Sequence, residues 1–190
     1  MNFYKNQIFH VYNQGNDHGK IFFNDDNYLY FIKKMRQFIC PYADFLAYCL
    51  MPNHFHFLIY VKEISLDNNK KPKTLNESIG TMLMSYTSAI NKQEKRSGAL
   101  FRQHTKAEDG WSEDVITISS KDSKKLFSTD NDYGKICFDY IHNNPSKANL
   151  VSNQEDWIFS SLRDYKGMRN GTLCNKDLAF ELLNFEKGAI

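Results

Sequence analysis

Residues 43–61 read ADFLAYCLMPNHFHFLIYV, two apolar runs joined around Met51-Pro52-Asn53. Each run has the length and the β-branched and aromatic content of a strand, and the Pro-Asn pair marks the turn between them. Residues 43–50 and 55–61 therefore read as two strands. The second places His54 and His56 where an apolar strand would carry hydrophobic residues. Side chains at i and i+2 point to the same face of a strand, so the two imidazoles project side by side. A pair placed in this way can share one metal ion, because imidazole is the commonest protein metal ligand. It can equally be a pair of hydrogen-bonded strand histidines, and spacing alone leaves both readings open.

Working outward, residues 7–13 (QIFHVYN) alternate and suit a first strand, with Gln14-Gly15-Asn16 as the loop after it. Residues 27–39 place Tyr28, Phe31, Ile32, Met35 and Phe38 at helical spacing; Asp25 or Asp26 reads as the N-cap and Pro41 as the stop. Residues 67–73 are polar and read as a loop. Residues 74–93 carry Leu75, Ile79, Leu83, Tyr86 and Ile90 on one helical face, capped by Thr74 or Asn76, and residues 99–106 resume as a strand. The order β-α-β-β-α-β predicts an α+β, ferredoxin-like (RRM-like) fold: a four-stranded antiparallel sheet with two helices on one face and the histidines on its third strand. That fold alone implies no chemistry.

Beyond it, residues 108–129 are polar except for Val115-Ile116-Thr117-Ile118, which reads as an extra strand or an insertion. From Asp132 helical spacing returns, with Tyr133, Ile136, Cys137 and Tyr140 on one stripe and Pro145 as the expected end. Asn144, four residues after Tyr140, shares its face. On periodicity alone Tyr140 reads as a core residue. Residues 1–166 are expected to form the domain, and 167–190 a tail whose Leu178, Phe180, Leu182, Leu183 and Phe185 predict a docking helix.

The chain has 190 residues, 42% hydrophobic and 15% aromatic, enough to fill one core. No stretch has the length and apolarity of a membrane span, the N-terminus lacks a signal-peptide profile, and Cys40, Cys49, Cys137 and Cys174 form no Cys-x-x-Cys pair. A cytoplasmic chain with reduced thiols is expected. The net charge of +2 says little about partners. Between Lys62 and Lys106, however, nine basic residues face four acidic ones, a local excess that suits either a phosphate-facing patch or an ordinary solvated surface.

Three segments in order, MPNHFHFLI (51–59), GALFRQHTKA (98–107) and YIHNNPSKANLV (140–151), resemble the one-tyrosine HUH transposases. Within that superfamily they most resemble the REP-associated tyrosine transposases and related insertion-sequence transposases. Weaker matches at HVYNQGN (10–16), IFFNDDNYLYFI (21–32) and DWIFSSLRDY (156–165) extend the resemblance over most of the chain. The resemblance implies that His54 and His56 are paired metal ligands, that Tyr140 is the nucleophile and that Asn144 supplies a third, oxygen ligand. Some relatives carry glutamine at that third position, one methylene longer.

It also implies a metal-dependent single-stranded DNA endonuclease and strand transferase, using Mg²⁺ or Mn²⁺ and acting near a DNA hairpin through a 5′-phosphotyrosine. Neutral imidazole and amide ligands polarise an anionic phosphate without adding negative charge, and such a metal favours the tyrosine phenolate. No Walker-type phosphate loop is present, as suits chemistry that conserves ester energy. Lys95, Arg96, Arg102, Lys106 and Lys147 lie near the matched motifs and are the candidate DNA contacts. Relatives act as homodimers or as monomers, and both are compatible with this sequence. Two other function classes share some of these features: a hairpin-binding regulator that kept the fold without turnover, and a His-x-His hydrolase of the barrel type. The latter fold needs about 250 residues, more than this chain has.

Overall fold

The computed structural model describes residues 1–66, 73–109 and 132–185. Strands β1 (Ile8–Gln14), β2 (Ala43–Met51), β3 (His54–Val61) and β6 (Lys106–Asp109) form one antiparallel sheet in the order β2-β3-β1-β6. Two short strands, β4 (Ser65–Leu66) and β5 (Lys73–Thr74), pair separately. Helices α1 (Asp25–Phe38) and α2 (Leu75–Gln93) fill the two crossovers, which is the split β-α-β-β-α-β arrangement of the ferredoxin-like fold. α3 (Asp132–Lys147), α4 (Leu162–Tyr165) and α5 (Lys176–Leu182) follow. The expected extra strand at Val115–Ile118 lies outside the described residues.

Strand alternation gives the two faces of the sheet different work. Phe55 and Phe57 point toward α1, where their rings lie 5.4 and 6.2 Å from that of Phe31, and Tyr86 of α2 closes on Phe31 at 4.7 Å. Phe31, Phe55, Phe57 and Tyr86 are fully buried, so truncating Phe31 to alanine would cost about 3–5 kcal/mol. The Tyr86 hydroxyl stays satisfied by donating to the Ile21 carbonyl at 2.8 Å. His54 and His56 emerge on the other face, the one that α3 covers through its contacts with β2 and β3.

A bulge in β2 between Phe45 and Ala47 sets which residues neighbour the histidines. Beyond it Cys49 lies opposite His56 and Met51 opposite His54. The Leu46 carbonyl at the bulge accepts the Tyr165 hydroxyl. The outer edge of β2 is covered by the chain that follows α3: Leu50 N–H bonds the Phe159 carbonyl, Ser161 N–H the Tyr48 carbonyl and Asn175 N–H the Phe45 carbonyl. An edge covered in this way offers no template for pairing with another chain.

Four expected boundaries move. Helix α1 is capped by Asn24, whose side chain accepts Asn27 N–H at 3.1 Å, and not by Asp25 or Asp26, which form its first turn. Residues 99–105 are not strand: Leu100 and Phe101 turn into the core, and the Asn13 amide holds the segment by donating to the Arg102 carbonyl and Thr105 Oγ1. Pairing with β1 resumes at Lys106, opposite Tyr12, so the fourth strand is Lys106–Asp109. Helix α3 does not stop at Pro145. A proline removes the bond to the carbonyl four residues earlier and crowds that carbonyl, yet the last turn closes behind it through Ala148 N–H to Asn144 and Leu150 N–H to Pro145.

Candidate active site

The pairing of β1 with β3 sets Tyr12 opposite His56 and Gln14 opposite His54, so alternate residues of both central strands share the histidine face. His10 belongs to the same set. Its ring lies 5.1 Å from that of His56, nearly coplanar with it, and the Tyr12 ring stands 5.6 Å from His56 and 5.0 Å from His10. Tyr140 reaches down from α3 edge-on, its ring 5.4 Å from His56 and 5.9 Å from His10. Residues 54, 56 and 140 therefore meet within one chain. They line a cleft of about 260 Å³ together with Tyr12, Gln14, Arg102, His104 and Lys106.

The hydrogen bonds decide which imidazole nitrogens remain free. The Asn53 amide donates from Nδ2 to the His18 carbonyl at 3.3 Å, which turns its Oδ1 toward His54 Nδ1 at 2.6 Å. An amide oxygen only accepts, so His54 carries its proton on Nδ1 and keeps a lone pair on Nε2. His56 Nδ1 is engaged with His10 Nε2 at 2.9 Å, leaving Nε2 as its remaining nitrogen as well. Burial lowers His54 to about 4, and burial with the neighbouring His10 and His54 holds His56 well below 6.5. Both rings are neutral near pH 7, the form that binds metal.

Two neutral imidazole nitrogens on one rigid strand fit a divalent cation as part of its shell. Among the described residues no three of His, Cys, Asp or Glu come together as a complete metal site. Asn144 is one turn beyond Tyr140 and spends its amide nitrogen on the Tyr140 carbonyl at 3.0 Å. It is not among the residues lining the cleft.

Burial raises the Tyr140 phenol above its ordinary value, the Asn144 amide pulls the other way, and Glu108 adds to the rise. Glu108 sits on β6 and accepts the Tyr12 hydroxyl at 2.6 Å. Lys147 stands over the Tyr140 ring at 5.5 Å and Lys106 over the Tyr12 ring at 5.9 Å. Of the basic residues expected at the site, Arg102 and Lys106 line the cleft and Lys147 borders its tyrosine. Lys95 and Arg96 do neither: they close the end of α2, where Arg96 donates to the Ala99 carbonyl at 3.3 Å.

His10, Tyr12 and Gln14 escaped the sequence reading as site residues. Their signal was the alternation of the first strand, which puts residues 10, 12 and 14 on one face. Only the register with β3 identifies that face as the histidine side.

A second groove, of about 590 Å³, runs along α2 past Leu83, Met84, Asn91 and Phe101, and shares Asn13 and Arg102 with the cleft. No family model matches the sequence, and neither does any curated protein. Among solved structures, a REP-associated tyrosine transposase bound to a REP hairpin superposes with a TM-score of 0.56 at 17% identity, covering 88% of this chain and 83% of that one. The fold is that of a tyrosine transposase. In this tyrosine-transposase fold the ferredoxin-like sheet carries the His-x-His strand, and the helix that follows it brings the tyrosine to the same face. No helix among the described residues is long and apolar enough to cross a membrane.

Proposed function

We propose that this chain is a metal-dependent single-strand DNA endonuclease and strand transferase acting beside a DNA hairpin. The observation that carries the reading is the approach of Tyr140 to His56 in a cleft lined by Arg102 and Lys106. The hairpin-bound transposase of the same fold supports a hairpin as partner.

In the proposed reaction Tyr140 Oη attacks the scissile phosphorus after giving up its proton. A new P–O bond to tyrosine forms and the P–O3′ bond breaks. Tyr140 then holds the 5′ phosphate, and the departing 3′ oxygen takes a proton to become a free hydroxyl. Attack by a 3′-hydroxyl on the phosphotyrosine reverses the step and joins strands. One ester replaces another, so no triphosphate is consumed. A divalent ion, Mg²⁺ or Mn²⁺, held by Nε2 of His54 and His56, with Asn144 as an oxygen donor only once its side chain turns from the Tyr140 carbonyl into the cleft, would supply electrophilic polarisation of the phosphate.

The chain's own groups do the rest. Burial disfavours the phenolate, and the Asn144 amide offsets part of that cost. Arg102 and Lys106 neutralise backbone phosphates, and the groove along α2, where Met84 is exposed, suits unstacked bases.

The test is incubation of the protein with an end-labelled single-stranded hairpin and Mn²⁺. A denaturation-resistant protein–DNA adduct is expected, and Tyr140→Phe removes it while retarding the hairpin as before. An undiminished adduct in that variant rejects Tyr140 as the nucleophile. Retardation with no cleavage by the unaltered protein assigns it instead as a binding regulator.

A further inference from the structure

The two candidate metal ligands are held by unlike groups. His54 meets an amide oxygen, which can only accept. His56 meets another imidazole, which can donate or accept, at 2.9 Å in a site where both rings are 6% exposed. Two neutral imidazoles joined nitrogen to nitrogen hold one proton between them. If His10 donates it, His56 Nδ1 has no hydrogen, its proton sits on Nε2, and no lone pair faces the cleft. If His56 donates it, Nε2 is free.

We propose that His10 is a positioning residue, whose Nε2 accepts the Nδ1–H of His56 and thereby fixes the tautomer able to bind a metal. The inference rests on the reading of His54 and His56 as the metal site. Three features support it. An unconstrained histidine side chain prefers its proton on Nε2, the tautomer that cannot ligate through that nitrogen, so a partner acting on Nδ1 is required to free Nε2. The rings of His10 and His56 lie edge to edge and nearly coplanar, 23° between planes with centroids 5.1 Å apart, which aligns the nitrogen-to-nitrogen bond and fixes the ring rotation as well as the proton. With Asn53 serving His54 in the same way, both ligands then present Nε2 from one strand face. A hydrogen-bond acceptor behind a ligating imidazole commonly changes metal affinity about 10- to 100-fold.

The test needs no catalysis. In metal-free protein labelled with ¹⁵N-histidine, long-range ¹H–¹⁵N correlation reads each tautomer directly. His56 is expected with its proton on Nδ1 and His10 with its Nε2 unprotonated. A His56 ring protonated on Nε2 overturns the inference without any variant being made.

Mn²⁺ titration by calorimetry gives the second arm. His10→Phe keeps an aromatic ring beside His56 and removes the acceptor, and is expected to weaken binding about 10- to 100-fold. His10→Gln restores an oxygen acceptor and recovers most of the affinity. Unchanged affinity in His10→Phe, where His56→Ala abolishes binding, overturns the role of His10 while leaving the metal site standing. Unchanged binding in His56→Ala instead removes the metal-site reading itself.

Discussion

Acid should destabilise this protein well before its carboxylates are protonated, because it buries neutral imidazoles. His10 and His142 are 6% and 2% exposed, and burial lowers them to about 4 and about 3. In the unfolded chain a histidine titrates near 6.5, so below that pH the unfolded state takes up protons that the folded state refuses. The stability held in these groups is complete above about pH 7 and drains away as pH falls through 6.5 toward the lowered values. At pH 5 the loss is about 2 kcal/mol for each of the two, or about 4 kcal/mol together. His56, also held well below 6.5, adds in the same direction. Against a total stability of roughly 5–15 kcal/mol that is a large share.

The assay is urea unfolding followed by circular dichroism at pH 7.5 and pH 5.0, with EDTA present so that no bound metal contributes. With a slope of roughly 2 kcal/mol per molar urea, the midpoint should fall by about 2 M or more. His142→Phe should shrink the pH dependence by close to one proton. Equal midpoints at the two pH values would refute the claim that these rings are buried and neutral.

Arg169→Ala should cost about 3–5 kcal/mol, read as a drop in thermal midpoint, because it strands the Asp164 carboxylate, 2% exposed, that Arg169 grips with bonds of 2.7 and 2.8 Å. Arg102→Ala should weaken hairpin binding and lower the slope of log affinity against log salt by about one, whereas Arg96→Ala, outside the cleft, should leave that slope unchanged in a filter-binding titration. Since Tyr140 and His56 meet within one chain, a mixture of Tyr140→Phe and His56→Ala proteins should form no adduct with hairpin DNA; recovery of the adduct would show tyrosine exchange between chains.

The ferredoxin-like order was legible because each element announces itself locally. Period-two alternation marks the strands, the Thr74–Glu77 capping box opens α2, and apolar stripes mark α1 and α2. What failed were features that depend on partners far along the chain. Residues 99–105 have strand composition, but they pair with the first strand's end only through an isolated bridge at Phe101, and the Asn13 side chain takes the Arg102 carbonyl and the Thr105 hydroxyl. Asn24 outcompetes two neighbouring aspartates as a cap because Asn27, buried beneath it, bonds back to Phe23 N–H and to Gln93. His54 and His56 stood out because imidazoles are conspicuous in an apolar run. His10, equally close to the centre, sits in an alternating strand where a polar residue looks ordinary, and it gains meaning only from the pairing of β1 with β3. Lys95 and Arg96 were drawn in by their nearness in sequence to Arg102, although the turn between them carries Arg102 into the cleft and leaves them behind.

Tyr140 and His142 stand two residues apart on α3 and so point in different directions from its axis. One faces the cleft. The other is sealed against Ser161, 2.7 Å away, whose hydroxyl is in turn tied to the backbone of Tyr48 in β2. Rolling or sliding the helix to move the tyrosine would tear this buried link and leave polar atoms without partners. Tyr140 therefore keeps only its two side-chain torsions as degrees of freedom. In the proposed reaction most of the entropy of bringing it to a phosphate is then spent once, when the chain folds, and need not be spent again at each encounter with a strand.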